Sequence, residues 1–123
     1  MTPSDVSARA EVIAAPSPNA DERDRGIDTV VLHYTGMRTG PEALARLRDP
    51  AAKVSAHYLV EEDGRLFGLV EEGRRAWHAG VASWRGETDL NARSVGVEIV
   101  NPGHEWGYRP FPDEQIAAVE ALV

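Results

Sequence analysis

Two short runs rich in β-branched residues constrain the fold of this chain more than any other feature. They are TVVLHY at 29–34 and SVGVEIV at 94–100. Each run is too short for a typical helix and is bounded by polar or turn-forming residues, so each predicts a strand. Between them, SAHYLVEEDGRLFGLV at 55–70 predicts a β-hairpin with Asp63-Gly64 in its turn, because glycine tolerates the positive φ that such turns need.

Two further segments predict helices. TGPEALARLRDP at 39–50 begins with Thr39 and Glu42 at capping-box spacing and is ended by Asp49-Pro50. PDEQIAAVEALV at 112–123 has a helical apolar pattern, and its predicted buried face consists of Ile116, Val119 and Val123. The order strand, helix, hairpin, strand, helix predicts an α/β fold with a mixed central β-sheet flanked by helices.

The remaining segments predict irregular structure. Residues 1–27, rich in Pro, Ser and alternating charges, are expected to form an irregular leader, and residues 71–93 a long functional loop. The sequence stops inside the helical pattern of 112–123 without a C-terminal cap. We therefore expect residues 28–123 to be the N-terminal portion of a domain whose C-terminal part is missing.

Composition excludes several classes of function. The net charge is −7 and no run of basic residues occurs, which argues against nucleic acid as a partner. No stretch is long and apolar enough to span a membrane, and no secretory signal is visible, so we expect a cytoplasmic protein, as a monomer. Because the chain has no cysteine, any metal site must be built from imidazole and oxygen ligands.

Strand parity places two polar side chains where they can carry chemistry. In the first strand His33 shares its face with Val31, and in the second strand Glu98 shares its face with Gly96. A carboxylate in so apolar a strand is costly to desolvate unless it is paired, bound to a metal or open to a cleft. One interpretation is an edge strand whose Glu98 faces water. The other is a cleft in which Gly96 leaves room for a ligand.

The four histidines do not predict a metal site from their spacing alone. They are His33, His57, His78 and His104, and no two of them form a short metal-binding pair. His57 could be a core or wall residue, His78 lies beside Trp77 in the long loop, and His104 is expected to be exposed. The residues by themselves indicate a hydrolytic cleft with a histidine and a glutamate, and nothing more specific.

Several motifs together resemble a known family. The segments VVLHYTGM, VSAHYLVEEDGRLFGLVEEGRRAWHAG, WRGETDLNARSVGVEIVNPG and YRPFPDEQIAAV occur in the order and spacing of the zinc-dependent N-acetylmuramoyl-L-alanine amidases of the type 2 amidase/peptidoglycan-recognition fold. The resemblance covers about residues 28–123. It implies hydrolysis of the amide between N-acetylmuramic acid and L-Ala, with peptidoglycan or a muropeptide as substrate and a zinc-bound water as nucleophile.

The resemblance also implies roles for individual residues. His33 matches the zinc ligand of the HYT motif, and Glu98 matches the glutamate that acts on the zinc-bound water. The implied substrate-binding residues come from the same motifs, with His57 read as a wall or supporting group and Asn91 as a support for the loop. They are Tyr34, His57, Trp77, His78 and Asn91.

The family's other two zinc ligands have no counterpart in this sequence. By resemblance, a second histidine and an Asp or Cys follow the helix that begins at Pro112. Because the chain has only one of the three ligands, we expect it to bind zinc poorly. By itself it is therefore expected to hydrolyse little or none of the substrate. The alternatives are a non-catalytic module that binds peptidoglycan or muropeptides, and an α/β domain in which His33 and Glu98 are merely structural.

Overall fold

The computed structural model describes residues 11–79, 90–103, 106–107 and 109–123. This part of the chain contains seven strands, two α-helices and two short 3₁₀ turns at Pro50–Ala52 and Leu90–Arg93. The elements are Val12–Ala14 (β1), Ala20–Glu22 (β2), Thr29–Tyr34 (β3), Gly40–Arg48 (α1), Tyr58–Val60 (β4), Leu66–Gly68 (β5), Arg74–Ala76 (β6), Ser94–Ile99 (β7) and Asp113–Leu122 (α2).

Five of the strands form a mixed central sheet in the order β1-β5-β4-β7-β3, and β2 pairs with β6 in a separate ribbon. β7 is parallel to both of its neighbours, β3 and β4, whereas β4 and β5 are antiparallel. The predicted α/β class with a mixed sheet is confirmed. Because β7 is hydrogen-bonded on both sides, the interpretation of Glu98 as a residue of an edge strand is wrong.

The first helix and the hairpin form where the sequence predicts them. The Thr39 hydroxyl accepts a hydrogen bond from the Glu42 backbone N–H at 3.3 Å, and α1 ends at Arg48, with Asp49 as its C-cap. In the hairpin turn Gly64 has a φ of +90°, and a Cβ there would lie 2.9 Å from the Glu114 carbonyl oxygen. Gly64 therefore satisfies both the turn and the close approach of α2.

Two irregular segments contain more structure than predicted. In the described part of the predicted leader, β1 adds to the edge of the central sheet beside β5, and β2 pairs with β6. The predicted loop at 71–93 contains β6 and the 3₁₀ turn, while residues 80–89 lie outside the described residues. Strands of three residues are too short to show a period, so hydrophobic patterning did not indicate them.

The sheet is covered differently on its two faces. One face carries Val95, Val97 and Leu66, and it packs against Leu122, Ala118 and Val119 of α2; the other face packs against Ala43 and Leu47 of α1.

The buried face of α2 is a correction to the sequence analysis. It holds Gln115 and Leu122, with Val119 partly buried against the core as the apolar pattern predicted, whereas Ile116 and Val123 are exposed. Three side chains of β3 on the same sheet face as α2 are also about half exposed: Val30, Leu32 and Tyr34.

In the described part of the chain, no helix has the length and apolarity needed to cross a membrane.

Candidate active site

The site is built on two neighbouring parallel strands. β3 and β7 pair so that His33 lies directly beside Glu98. Paired residues of adjacent strands point to the same face of a sheet, so both side chains emerge on the face that carries α1. The common face of His33 and Glu98 follows from strand parity together with this register.

Glu98 is a partly buried carboxylate that lines a cleft. Its Oε2 is buried and has no hydrogen-bond partner among the described residues. Burial raises the pKa of Glu98 from its usual 4.5 to about 7. A carboxyl group with that pKa can both accept and donate a proton near neutral pH, which is the property required of a general acid–base residue.

The cleft beside Glu98 has a volume of about 600 Å³. One wall comes from the residues that follow β3, and the opposite wall from α1. At the cleft the Arg38 guanidinium lies 4.0 Å from the centre of the Trp106 ring, a cation–π contact. The lining residues are Thr35, Gly36, Met37, Arg38, Glu42, Ala43, Arg46, Leu47, Val54, Glu98 and Trp106.

His78 lies against both strands of the site. Its Nδ1 is 3.1 Å from Nε2 of His33, and its Nε2 is 2.9 Å from the Ser94 hydroxyl. A Cβ at Gly96 would lie 2.3 Å from Cγ of His78, so the ring occupies the space that the missing side chain leaves. The prediction that Gly96 makes room for a ligand is therefore wrong for the described structure.

Burial keeps His78 neutral. The side chain is almost fully buried, and burial, with a smaller contribution from neighbouring His33, lowers the pKa of His78 to about 3. Burial also lowers the pKa of His33. The two histidines can therefore share a hydrogen bond without the repulsion of two imidazolium charges.

His57 lies behind the site and is fully buried. The Gly96 backbone N–H donates to its Nδ1 at 3.0 Å, so Nε2 carries the proton and donates to the Arg74 carbonyl at 2.8 Å. A ring with both nitrogens occupied has no lone pair left for a metal ion. Full burial also places His57 in a supporting position.

The predicted substrate-binding residues are not assembled at the cleft. Asn91 is buried, and its Oδ1 accepts the backbone N–H groups of His78 and Ala79 at 3.1 and 2.9 Å, so it holds the loop in place. Tyr34 is 56% exposed and lies on the opposite sheet face from His33, because neighbouring residues of a strand alternate. Trp77 is partly buried, and His104 lies outside the described residues.

The sequence analysis missed Arg23, which lies in the predicted leader. Its guanidinium donates five hydrogen bonds to the backbone carbonyls of Glu72, Asn91, Ala92, Arg74 and Ser94. Nη2 is also 3.0 Å from Nε2 of His57. Arg23 therefore joins the β6 segment, the 3₁₀ turn at Leu90–Arg93 and the start of β7 behind the site. No local sequence pattern indicates these contacts.

The described residues fit a metal ion only in part. His33 has one ring nitrogen, Nδ1, that makes no hydrogen bond among the described residues, and Glu98 has its unpartnered oxygen. In the described ranges, no group of three or more His, Cys, Asp or Glu side chains could hold a metal. Catalytic zinc usually takes three protein ligands, so this set supplies one ligand and not a complete site.

Comparison with known proteins agrees with this architecture. Residues 23–123 match the family described as N-acetylmuramoyl-L-alanine amidase. The chain is 38% identical to N-acetylmuramoyl-L-alanine amidase AmiD of Escherichia coli K12, over 79% of this chain and 37% of AmiD. It is 33% identical to 1,6-anhydro-N-acetylmuramyl-L-alanine amidase AmpD of Citrobacter freundii, over 89% of this chain and 68% of AmpD.

A solved structure extends the comparison to the fold. The complex of E. coli AmiD with anhydro-N-acetylmuramic acid-L-Ala-D-γ-Glu-L-Lys superimposes with a TM-score of 0.69 and 36% identity, over 88% of this chain and 43% of that one. The chain thus spans well under half of AmiD.

Proposed function

Because the chain belongs to the N-acetylmuramoyl-L-alanine amidase family, we propose that it is part of an enzyme that cleaves the amide between the lactyl group of N-acetylmuramic acid and L-Ala of a stem peptide. The observation that carries the proposal is Glu98: a partly buried carboxylate that lines a cleft beside His33, and whose buried Oε2 has no hydrogen-bond partner among the described residues. The residues of the cleft itself, including two arginines and Trp106, suit a ligand with carboxylates and apolar groups.

In this proposal Glu98 moves the proton of the reaction. Water attacks the carbonyl carbon of the amide, and Glu98 accepts a proton from that water. The C–N bond then breaks, Glu98 returns the proton to the leaving amine, and the products are a lactyl carboxylate and a peptide with a free amino terminus. A pKa of about 7 allows both transfers near neutral pH.

Zinc belongs to the proposal as the expected cofactor. When bound, it supplies Lewis acidity and lowers the pKa of water, and we propose His33 as one of its protein ligands, with the others outside the described residues. His78 and Asn91 support this arrangement from behind, through the Nδ1 contact to His33 and the hydrogen bonds to the loop backbone. A cytoplasmic monomer stays a prediction that cell fractionation and light scattering check.

A second candidate is a module that binds muropeptides without cleaving them. The observation that favours it is the lack of a three-ligand metal group within the described ranges. The two candidates differ in one respect: binding needs no proton transfer, so it would not depend on the carboxylate of Glu98.

The first test uses the protein expressed from its own gene to the natural stop codon, with anhydro-N-acetylmuramic acid-L-Ala-D-γ-Glu-L-Lys as substrate. We expect zinc-dependent release of the peptide, and a fall of roughly 10²-fold or more in kcat for Glu98→Gln. The matched control is Glu120→Gln, an exposed residue of α2 on the other side of the sheet, which should retain wild-type turnover.

Two results would count against the enzyme. Equal turnover in the Glu98→Gln variant would remove Glu98 from the reaction. Binding of the muropeptide without hydrolysis, with the same Kd in both variants, would establish the binding module in its place.

A further inference from the structure

Arg38 lines the cleft without an acidic partner among the described residues. It follows β3, and the lining of the same cleft includes Glu98. The guanidinium lies over the Trp106 ring, 4.0 Å from its centre, and forms no hydrogen bond or ion pair with a described residue. Within the described part of the chain, its N–H donors are therefore available to a ligand.

The contact with Trp106 holds the guanidinium without using those donors. A cation over an aromatic ring is attracted to the negative face of the π-system, which requires no N–H hydrogen bond. A planar set of donors that is already held in place suits a carboxylate, because the two oxygens of a carboxylate can accept a pair of parallel hydrogen bonds. Arg38 is exposed and Trp106 is 46% exposed, so a ligand can reach both.

Asn101 joins the two segments that carry this contact. It is fully buried. Its side chain accepts from the Gly103 backbone N–H at 3.0 Å and donates to the Arg109 carbonyl at 2.7 Å, so it holds the chain on both sides of Trp106. Its backbone carbonyl accepts from the Gly36 N–H at 2.9 Å, in the segment that follows β3. The cation and the ring are thus supported by a common anchor.

Arg38 differs from the other charged residues that line the cleft. These are two acidic side chains, Glu42 and Glu98, and a second arginine, Arg46. Arg46 has a structural reason for its position, since it lies in the last turn of α1, where a cation offsets the helix dipole. Arg38 lies outside the helix, so the dipole does not account for it.

The stem peptide of the proposed substrate offers a carboxylate at a suitable distance. In L-Ala-D-γ-Glu-L-Lys the glutamate is linked through its side-chain carboxyl group, so its α-carboxylate is free. Only L-Ala separates this glutamate from the scissile amide, so the carboxylate lies at most about 7 Å from the carbonyl carbon that is attacked. It therefore stays within a cleft of about 600 Å³ whose lining includes both Glu98 and Arg38.

We propose that Arg38, held by Trp106, binds the α-carboxylate of the γ-linked glutamate and so selects substrates in which this carboxylate is not amidated. The inference rests on the proposed function and adds the group of the substrate that the cleft recognises. The chain has a net charge of −7, so an anionic peptide needs a local cation to offset the general repulsion. Amidation removes the charge and one acceptor oxygen, which leaves the guanidinium without its partner.

The test compares two muropeptides that differ only at this group. They are anhydro-N-acetylmuramic acid-L-Ala-D-γ-Glu-L-Lys and the same compound with the glutamate α-carboxylate converted to a carboxamide. The protein is expressed from its own gene to the natural stop codon, with Glu98→Gln in every sample to prevent hydrolysis, and calorimetry gives the Kd. We expect Arg38→Gln to weaken binding of the carboxylate form by about 10- to 100-fold and to leave binding of the carboxamide form unchanged. A merely structural role would weaken both.

Arg48→Gln is the matched control. Arg48 is also an exposed arginine, but its Nε donates to the Pro16 carbonyl at 3.1 Å and it does not line the cleft. Both muropeptides should bind to this variant as they do to the parent.

Two variants test the part played by the ring. Trp106→Leu should reduce the preference for the carboxylate form, and Trp106→Phe should retain some of it, because Phe keeps an aromatic face for the cation. Arg38 and Trp106 are exposed, so these variants should fold, and circular dichroism checks that they do. A full preference in Trp106→Leu would overturn the assignment of Trp106 as the group that holds Arg38.

Steady-state hydrolysis by the protein with Glu98 intact gives a second readout. Arg38→Gln should raise KM for the carboxylate form and leave kcat unchanged, because the carboxylate is remote from the bond that breaks and is bound equally in the ground state and the transition state.

The outcomes separate this inference from the proposed function. An equal loss of affinity for both muropeptides in Arg38→Gln, or no loss for either, would overturn the inference, and hydrolysis by the wild type would still leave the amidase in place. A preference for the carboxylate form that depends on Arg38, in a wild-type protein that does not hydrolyse it, would support the inference and contradict the amidase. Failure of the wild type to bind either form would contradict both.

Discussion

At the scale of the residue, Glu98 shows that strand alternation predicts the face on which a side chain lies but not the groups that surround it. Alternation along the two strands put His33 and Glu98 on definable faces, and the register of β3 with β7 makes them neighbours. Alternation could not predict what fills the space over Gly96. The space is filled by the ring of His78, which comes from a loop distant in sequence. Positions on a strand follow from local pattern, whereas their neighbours depend on the tertiary fold.

The burial of Glu98 predicts that the unfolding free energy of the metal-free protein falls as the pH rises. Its pKa is about 7 in the folded state against 4.5 when exposed. A raised carboxyl pKa contributes stability that is complete below about pH 4.5 and is lost as the pH rises through 7. The loss amounts to about 3 kcal/mol. Relative to wild type, Glu98→Gln should therefore gain about 3 kcal/mol in unfolding free energy between pH 4 and pH 8.

Urea unfolding in the presence of a chelator, at a series of pH values, measures this difference. Glu120→Gln is the control, and its difference from wild type should not follow the same curve, because Glu120 is exposed. A Glu98→Gln difference that does not vary between pH 4 and pH 8 would contradict the buried, ionisable state of Glu98.

At the scale of the element, α2 shows why an apolar pattern can be assigned to the wrong face. The pattern favoured Ile116, but the helix buries Gln115, whose Nε2 donates to the carbonyls of Val60 and Val100 at 3.1 and 2.9 Å. Those carbonyls lie at the ends of β4 and β7. Hydrophobic periodicity cannot predict a buried polar residue of this kind, because Gln is treated as a surface residue in such a pattern.

We expect Gln115→Ala to lower the unfolding free energy by about 2–4 kcal/mol, because it removes two buried hydrogen bonds and leaves a cavity. Ile116→Ala, the neighbouring residue on the exposed side, should cost less than about 1 kcal/mol. Urea unfolding of the two variants under identical conditions gives the comparison. If the two changes cost the same, the buried anchoring role of Gln115 is contradicted.

At the scale of the whole molecule, the described part of the predicted leader is joined to the domain. β1 lies at the edge of the central sheet, and Arg23 donates to carbonyls of three later segments. The longer elements were predictable because each carries its own signal: alternation in β3 and β7, a cap in α1, Asp-Gly in the hairpin. β1, β2, β6 and Arg23 were not, because they are defined by partners about 50 or more residues away.

Arg23→Ala should therefore destabilise the protein by about 2–4 kcal/mol, since it removes charge-assisted hydrogen bonds to several backbone carbonyls at once. Arg65→Ala is the matched control, because Arg65 forms an exposed ion pair with Asp63 at 2.7 Å and should contribute less than about 1 kcal/mol. Thermal and urea unfolding measure both. Equal effects would mean that the segment around Arg23 is not part of the cooperative unit.

The parallel pairing of β3 with β7 has a consequence for the order of events in the cell. β3 leaves the ribosome long before β7, and the pair joins distant parts of the chain, a type of contact that forms slowly. Until β7 arrives, β3 lacks the strand that it pairs with in the central sheet, which among the described strands is β7. His33 and Glu98 become neighbours only with this closure, so a chain whose synthesis has not yet passed β7 lacks the pair on which the proposed chemistry depends.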